Sequence, residues 1–336
     1  MTLRACWTRP LPTAPSLFSG LIGFVLVVGP FLLWDFILPI PLVTHVATAS
    51  ASMLQYFREF FFTWVFVVFV GTVLLLEWRI PADKNQSPFS LGLFYDTGGT
   101  LLVFSYSFFI LTFFLQGAFL ALDHWAPFLR LVDLSALPSP IRELVAFCLI
   151  DLVRWLGHYL RHTIPFFWEF HAMHHSQREL NLFSEFRLHP GELIISHMLV
   201  LFLLYMCQVS PHTIVALQIC EKWFLMLLHA NVRTNFGLFG YVFVSPLSHR
   251  LHHSCLPEHA NKNLGVSLSI WDRLFGTHQE PVSEDSLRCG VSGYPVEQDT
   301  PWTPFAVVYV RQFLYPLSRV VPGFSFRLLS SYSLRS

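Results

Sequence analysis

Residues 143–175 read ELVAFCLIDLVRWLGHYLRHTIPFFWEFHAMHH. An apolar run opens the stretch, and only Asp151, Arg154 and His158 interrupt it between Leu144 and Leu160. Histidines then arrive at helical spacing. His158 and His162 are four apart, so both imidazoles share one helix face, one turn from each other. His171, His174 and His175 stand at i, i+3 and i+4 and again share a face. The stretch predicts helix with polar groups at the edge of an apolar layer. A charge at membrane depth costs at least ~2.5–3.5 kcal/mol by insertion scales, so these groups are expected to face the protein interior or the interface.

The rest of the chain places that helix in a membrane. Of 336 residues, 54% are hydrophobic and 12% charged, against ~25% charged in soluble domains. Phe alone fills 35 positions. Disorder is excluded by this apolar content, and an ordinary water-soluble domain lacks the polar surface to cover it. Net charge is +0 with no long basic run, which argues against nucleic acid. None of the six cysteines forms a CxxC pair, so no disulfide framework is read.

Apolar runs long enough for a ~20-residue span fall at 16–40, 60–78, 98–122 and 143–160. Two shorter runs, 193–209 and 212–228, read as a helical hairpin that just spans or re-enters. Arg4, Arg9, Arg79, Lys84, Arg154, Arg161, Arg178 and Arg187 then lie on one side, the cytoplasmic side by the positive-inside rule. The expected fold is all-α: a multi-pass integral membrane protein with about four transmembrane helices, the hairpin and a cytoplasmic histidine-rich cap. Residues 277–301 turn polar and read as a surface loop, and 302–317 suits an interfacial helix.

Twelve of the 16 histidines fall between His158 and His253, under a third of the chain. His249, His252 and His253 repeat the i, i+3, i+4 spacing, so eight imidazoles form three clusters. Imidazole is the commonest metal ligand and suits Fe, Zn, Cu and Ni. Eight exceed the four ligands of a tetrahedral zinc, so two metals follow by counting. His189 and His229 are each either a ligand or a hydrogen-bonding neighbour of one. His45, His124, His197, His212 and His278 stand apart and are read as non-ligands, with His259 nearer the third cluster. Asp151 lies two turns before His158 on the same face, as an acceptor for a ring N–H or as an ion-pair partner of Arg154.

These motifs resemble the sterol desaturase branch of the fatty acid hydroxylase superfamily. The likeness runs through the three histidine boxes and their flanks: Asp151-Leu-Val-Arg-Trp155, Pro165-Phe-Phe-Trp168-Glu-Phe170, Asn231 with Arg233, and Val244-Ser-Pro246. It extends to Pro257–Gly265 and closes on Trp271-Asp272-Arg273-Leu274-Phe275-Gly276-Thr277. Leu264 stands where an aromatic is common before the Gly.

The resemblance implies a membrane-bound non-haem di-iron oxygenase: two iron ions, O2 as co-substrate, and hydroxylation or desaturation of a lipid C–H bond. It also matches His189 and His229 to positions where relatives carry His, which gives ten implied ligands. Residues 143–277 become the catalytic domain, 1–142 the N-terminal transmembrane region and 278–336 a polar loop with an interfacial tail. Electrons are expected from an external donor, cytochrome b5-like or ferredoxin-like, because no haem, flavin or nicotinamide motif is visible. Trp271-Asp272 is read as structural capping of the site. A zinc hydrolase is disfavoured by the absence of HExxH. The alternative is a histidine-rich membrane metal transporter or haem-binding electron carrier without oxygenase activity.

Overall fold

In the computed structural model, which describes residues 64–110, 114, 116–209, 211–280, 287–299 and 303–321, helices begin on prolines. Pro165, Pro190, Pro211 and Pro246 each open one, at the position where a missing N–H costs least. In chain order the α-helices are α1 (Trp64–Arg79), α2 (Leu91–Phe109), α3 (Gln116–Trp125), α4 (Ser139–Thr163), α5 (Pro165–His175), α6 (Pro190–Cys207), α7 (Pro211–His229), α8 (Pro246–His252), α9 (Ile270–Phe275) and α10 (Phe305–Val320). Among the described residues there is no β-strand, only isolated bridges such as Pro81 with Val232.

The expected runs map onto these helices with shifts. The run at 16–40 lies outside the described residues. The run at 98–122 divides between α2 and α3, and α2 starts seven residues early because the Ser90 side chain caps it, accepting from the Leu93 N–H at 3.1 Å. Helix α4 extends the 143–160 run at both ends and stops at Ile164, where the following proline forces extended backbone (φ −99°, ψ 114°). Among the described residues one helix, α6, is long and apolar enough to cross a membrane.

Three packing regions position the site. Helix α4 lays Ala146 and Ile150 against Val200 and Leu204 of α6. Helix α7 is held by α1, with Phe69 stacked on Trp223 at 5.5 Å between ring centroids. Helices α2, α5 and α10 share Tyr95, Met173, Val308 and Tyr309. Gly99 lets α2 approach α10, since any Cβ there would collide with the Tyr309 hydroxyl.

The surface-loop expectation for 277–301 is corrected. Leu287, Tyr294, Val296 and Glu297 are buried, because the acidic residue there answers a buried cation. Arg187 is fully buried and pairs with Asp96 at 2.8 Å and Glu297 at 2.7 Å. Its Nε also donates to Ser176 Oγ at 2.9 Å, just past the end of α5. Removing one partner of such a buried set costs about 3–5 kcal/mol.

Candidate metal centre

Helix α4 carries His158 and His162, α5 carries His171, His174 and His175, α7 ends on His229, and α8 with the residue after it supplies His249, His252 and His253. Four separate stretches thus deliver nine imidazoles to one place. They sort into two groups: His158, His162, His171, His175 and His252, and beside them His174, His229, His249 and His253. Within each group the candidate ligand nitrogens lie within 4.8 Å of one another. The i, i+3, i+4 triads do not each serve one point. In α5 the i and i+4 residues join the first group and His174 the second, whereas His252 leaves its neighbours for the first. The groups abut where His175 and His253 stack at 4.2 Å.

Hydrogen bonds at the far side of the rings fix which nitrogen is free. A backbone carbonyl only accepts, so Nδ1 must be the N–H wherever it faces one. His158 Nδ1 faces Leu264 O at 2.8 Å, His252 Nδ1 faces Lys262 O at 2.9 Å, and His229 Nδ1 faces Leu225 O at 2.8 Å. His171 Nδ1 faces a Glu192 carboxylate oxygen at 2.7 Å. In the neutral ring each then aims an Nε2 lone pair inward. The inward nitrogens of His158 and His252 are buried with no hydrogen-bond partner among the described residues. Others sit nitrogen to nitrogen: His175 Nε2 is 3.1 Å from the Nε2 of both His162 and His171, and His229 Nε2 is 3.1 Å from His174 and 3.0 Å from His249.

Burial pushes these groups toward the neutral form. The imidazoles of His162, His171, His174, His175, His249 and His253 are held well below the usual histidine range, first by desolvation and then by their charged-form neighbours. His252 is pushed down to about 4, again chiefly by burial. Converging neutral lone pairs about 3 Å apart repel one another, and buried polar groups left without partners cost about 1–3 kcal/mol each. A cation bound about 2.0–2.1 Å from each nitrogen would satisfy several at once. The residues present therefore fit one metal ion per cluster.

The other sequence-derived candidates fall elsewhere. His189 joins neither group: its Nδ1 accepts from the Gly191 N–H at 2.9 Å, capping α6, and its Nε2 faces Phe313 O at 3.1 Å. Asp151 bonds to no imidazole among the described residues and does not pair with Arg154, which meets Glu221 instead. Its carboxylate accepts from the N–H groups of Ser267 and Leu268 and from Trp271 Nε1. Asp272 accepts from Leu264 N, Gly265 N, Trp155 Nε1 and Thr277 Oγ1. The two aspartates tie the 264–272 loop to α4, and that loop presents the carbonyl behind His158. His124, His197 and His278 lie outside both groups, and His259 Nδ1 faces Ser254 Oγ at 3.0 Å. His45 and the His212 side chain are outside the described residues.

Sequence reading missed Glu192 and Glu185, whose carboxylates lie behind His171 and His229. For Glu192 the available signal was an acid in the first turn of a helix that otherwise reads as lipid-facing.

Comparison with known proteins points to the same stretch of chain. Residues 143–277 match the fatty acid hydroxylase family model. The chain is 28% identical over 156 residues to ornithine lipid hydroxylase OlsE of Rhizobium tropici, covering 46% of this chain and 47% of that one. It is 29% identical over 144 residues to alkylglycerol monooxygenase of Caenorhabditis elegans, covering 41% and 28%, and 26% identical over 142 residues to that of Homo sapiens, covering 42% and 31%. The match spans less than half the length of these relatives, and no solved structure matches. All nine clustered histidines lie inside the segment, residues 143–277, that is similar to the fatty acid hydroxylase family.

Proposed function

We propose that this protein is an O2-dependent lipid oxygenase whose centre is two iron ions held by nine histidines. The observation that carries the reading is the pair of abutting imidazole clusters with lone pairs fixed inward. The first ion would be held by His158, His162, His171, His175 and His252, and the second by His174, His229, His249 and His253. His189, counted among ten ligands on resemblance, is left out because both its ring nitrogens are engaged elsewhere. Two irons held there would supply the oxidising power for an unactivated C–H bond, drawing on O2 and two electrons from an external donor.

The chain's own residues keep the rings neutral by burial, fix their tautomers from behind and keep the site dry. The carbonyls of Leu264, Lys262 and Leu225 and the Glu192 carboxylate do the fixing. Two named relatives are a hydroxylase and a monooxygenase, which favours insertion of oxygen over desaturation. The substrate class is a lipid with an apolar chain. The protein is a multi-pass membrane protein with residues 143–277 as its catalytic unit, and the histidine cap faces the cytoplasm. Lipids from cells with and without the protein, compared by mass spectrometry under isotopically heavy O2, test this. The expected result is a lipid carrying one heavy oxygen only where the protein is made. Identical lipid profiles, with the protein folded and iron-loaded, would contradict it.

A further inference from the structure

Two carboxylates stand behind the clusters without belonging to the ligand sets. Glu192 lies in the first turn of α6 and is 4% exposed. Its Oε1 accepts from His171 Nδ1, while its Oε2 has no hydrogen-bond partner among the described residues. Arg161, on α4 beside His162, brings its Nε only to 3.7 Å from Oε1, an ion pair without a hydrogen bond. The carboxylate's one hydrogen bond therefore goes to a histidine of the first cluster. At the second cluster Glu185 contacts Lys222, and its Oε2 lies 3.5 Å from His229 Nδ1. That Nδ1 already donates to Leu225 O, so Glu185 acts on it only at longer range.

We propose that Glu192 is a positioning residue for the first metal site, holding His171 in its metal-binding tautomer and strengthening its donor nitrogen, and that Glu185 is a weaker counterpart at the second. This rests on the metal-centre reading above. A carboxylate behind an imidazole N–H raises electron density at the opposite nitrogen, and that nitrogen is the one 3.1 Å from His175 Nε2. The rings of His158 and His252 are backed by neutral carbonyls. His171 is the ring in either cluster with a carboxylate at 2.7 Å. Arg161 partly offsets the buried charge. A purely structural Glu192 would join α4 to α6 and have no preference between the two sites.

The test loads metal-free full-length protein in detergent with Co(II), then challenges it with a chelator while the Co(II) absorption is followed. Wild type is expected to hold two Co(II) per chain. In Glu192→Gln the amide oxygen still accepts the His171 N–H, so the variant reports the charge alone. One of its two ions should be released about 10–100-fold more readily, within the range seen when such outer partners are lost. Its metal-free thermal midpoint is expected to fall at most modestly, since the Arg161 contact at 3.7 Å carries no hydrogen bond. Glu185→Gln should change release less, and Glu192→Ala, which loses charge and bond together, more. Release of both ions at wild-type rates from Glu192→Gln would overturn the proposal. So would equal weakening of both sites with a lowered metal-free midpoint, the mark of a structural role. Absence of Co(II) binding by wild type would instead bring down the metal-centre reading itself.

Discussion

The two histidine clusters share helices α5 and α8, but α4 serves only the first and α7 only the second, and they are backed differently. The first gathers five imidazoles, and three of them have their outer nitrogen on a firm acceptor: Leu264 O, Lys262 O and the Glu192 carboxylate. The second gathers four, and only His229 is held in that way, by Leu225 O. The outer nitrogens of His174, His249 and His253 have no partner among the described residues. The first cluster is thus held from behind at three rings, once by a carboxylate, and the second at one.

The largest effect should come from removing one ligand in each cluster. His252→Ala in the first and His174→Ala in the second should each reduce lipid oxidation to background at matched expression, measured by mass spectrometry. Full product from either would remove that cluster from the chemistry. His124→Ala and His278→Ala, outside both groups, should leave product near normal.

Next in size is the scaffold shared by both clusters. Arg187 holds Ser176 at the end of α5, which feeds both groups. Arg187→Met leaves Asp96 and Glu297 buried without their cation, and unfolding should shift by about 3–5 kcal/mol. A variant as stable as wild type in denaturant titration would show that this hub is dispensable. Asp272→Asn touches only the first cluster, through the loop behind His158. Loss of a charged acceptor there should cost about 1.5–3 kcal/mol, with metal loss favouring one site. Equal loss from both sites would erase the distinction drawn between them.

Acid should release metal. His252 titrates near 4 in the folded chain, whereas an unfolded histidine titrates near about 6.5. Between those values the unfolded state binds the proton and the folded state does not, so stability rises with pH across that window. It is complete above about pH 6.5 and declines as pH falls toward about 4. Bound metal followed against pH should trace that decline; retention unchanged through the whole window would contradict neutral-imidazole ligation. The smallest effect is expected from His189→Asn. Asn caps helices well, so metal content should stay at two, while loss of the bond to Phe313 O should cost about 0.5–1.5 kcal/mol. Loss of an ion would return His189 to the ligand set.

The clusters were legible in the sequence because helical spacing constrains side chains on one helix without tertiary knowledge. His158 with His162 and the two triads could be read that way, whereas their division between two sites could not. That division depends on how α4, α5 and α8 cross, so His252 parts from His249 and His253. Asp151 was misplaced for a related reason. Its register on α4 was right, but the loop at 267–271 folds back to claim it. Residues 277–301 read as surface because Glu280, Glu284, Asp285 and Asp299 stand among turn formers, yet Glu297 in the same stretch is buried. Only the buried Arg187, 110 residues earlier, makes that acid an interior residue.

The proposed function turns on two metals sitting side by side on nine histidines. Its most direct test is metal quantification on protein made in iron-supplied cells and purified without oxygen, together with the iron's spectroscopic signature. Two irons per chain, without haem, are expected, falling below two in His252→Ala and in His174→Ala. Metal-free protein, or a single haem iron with a Soret band, would contradict it.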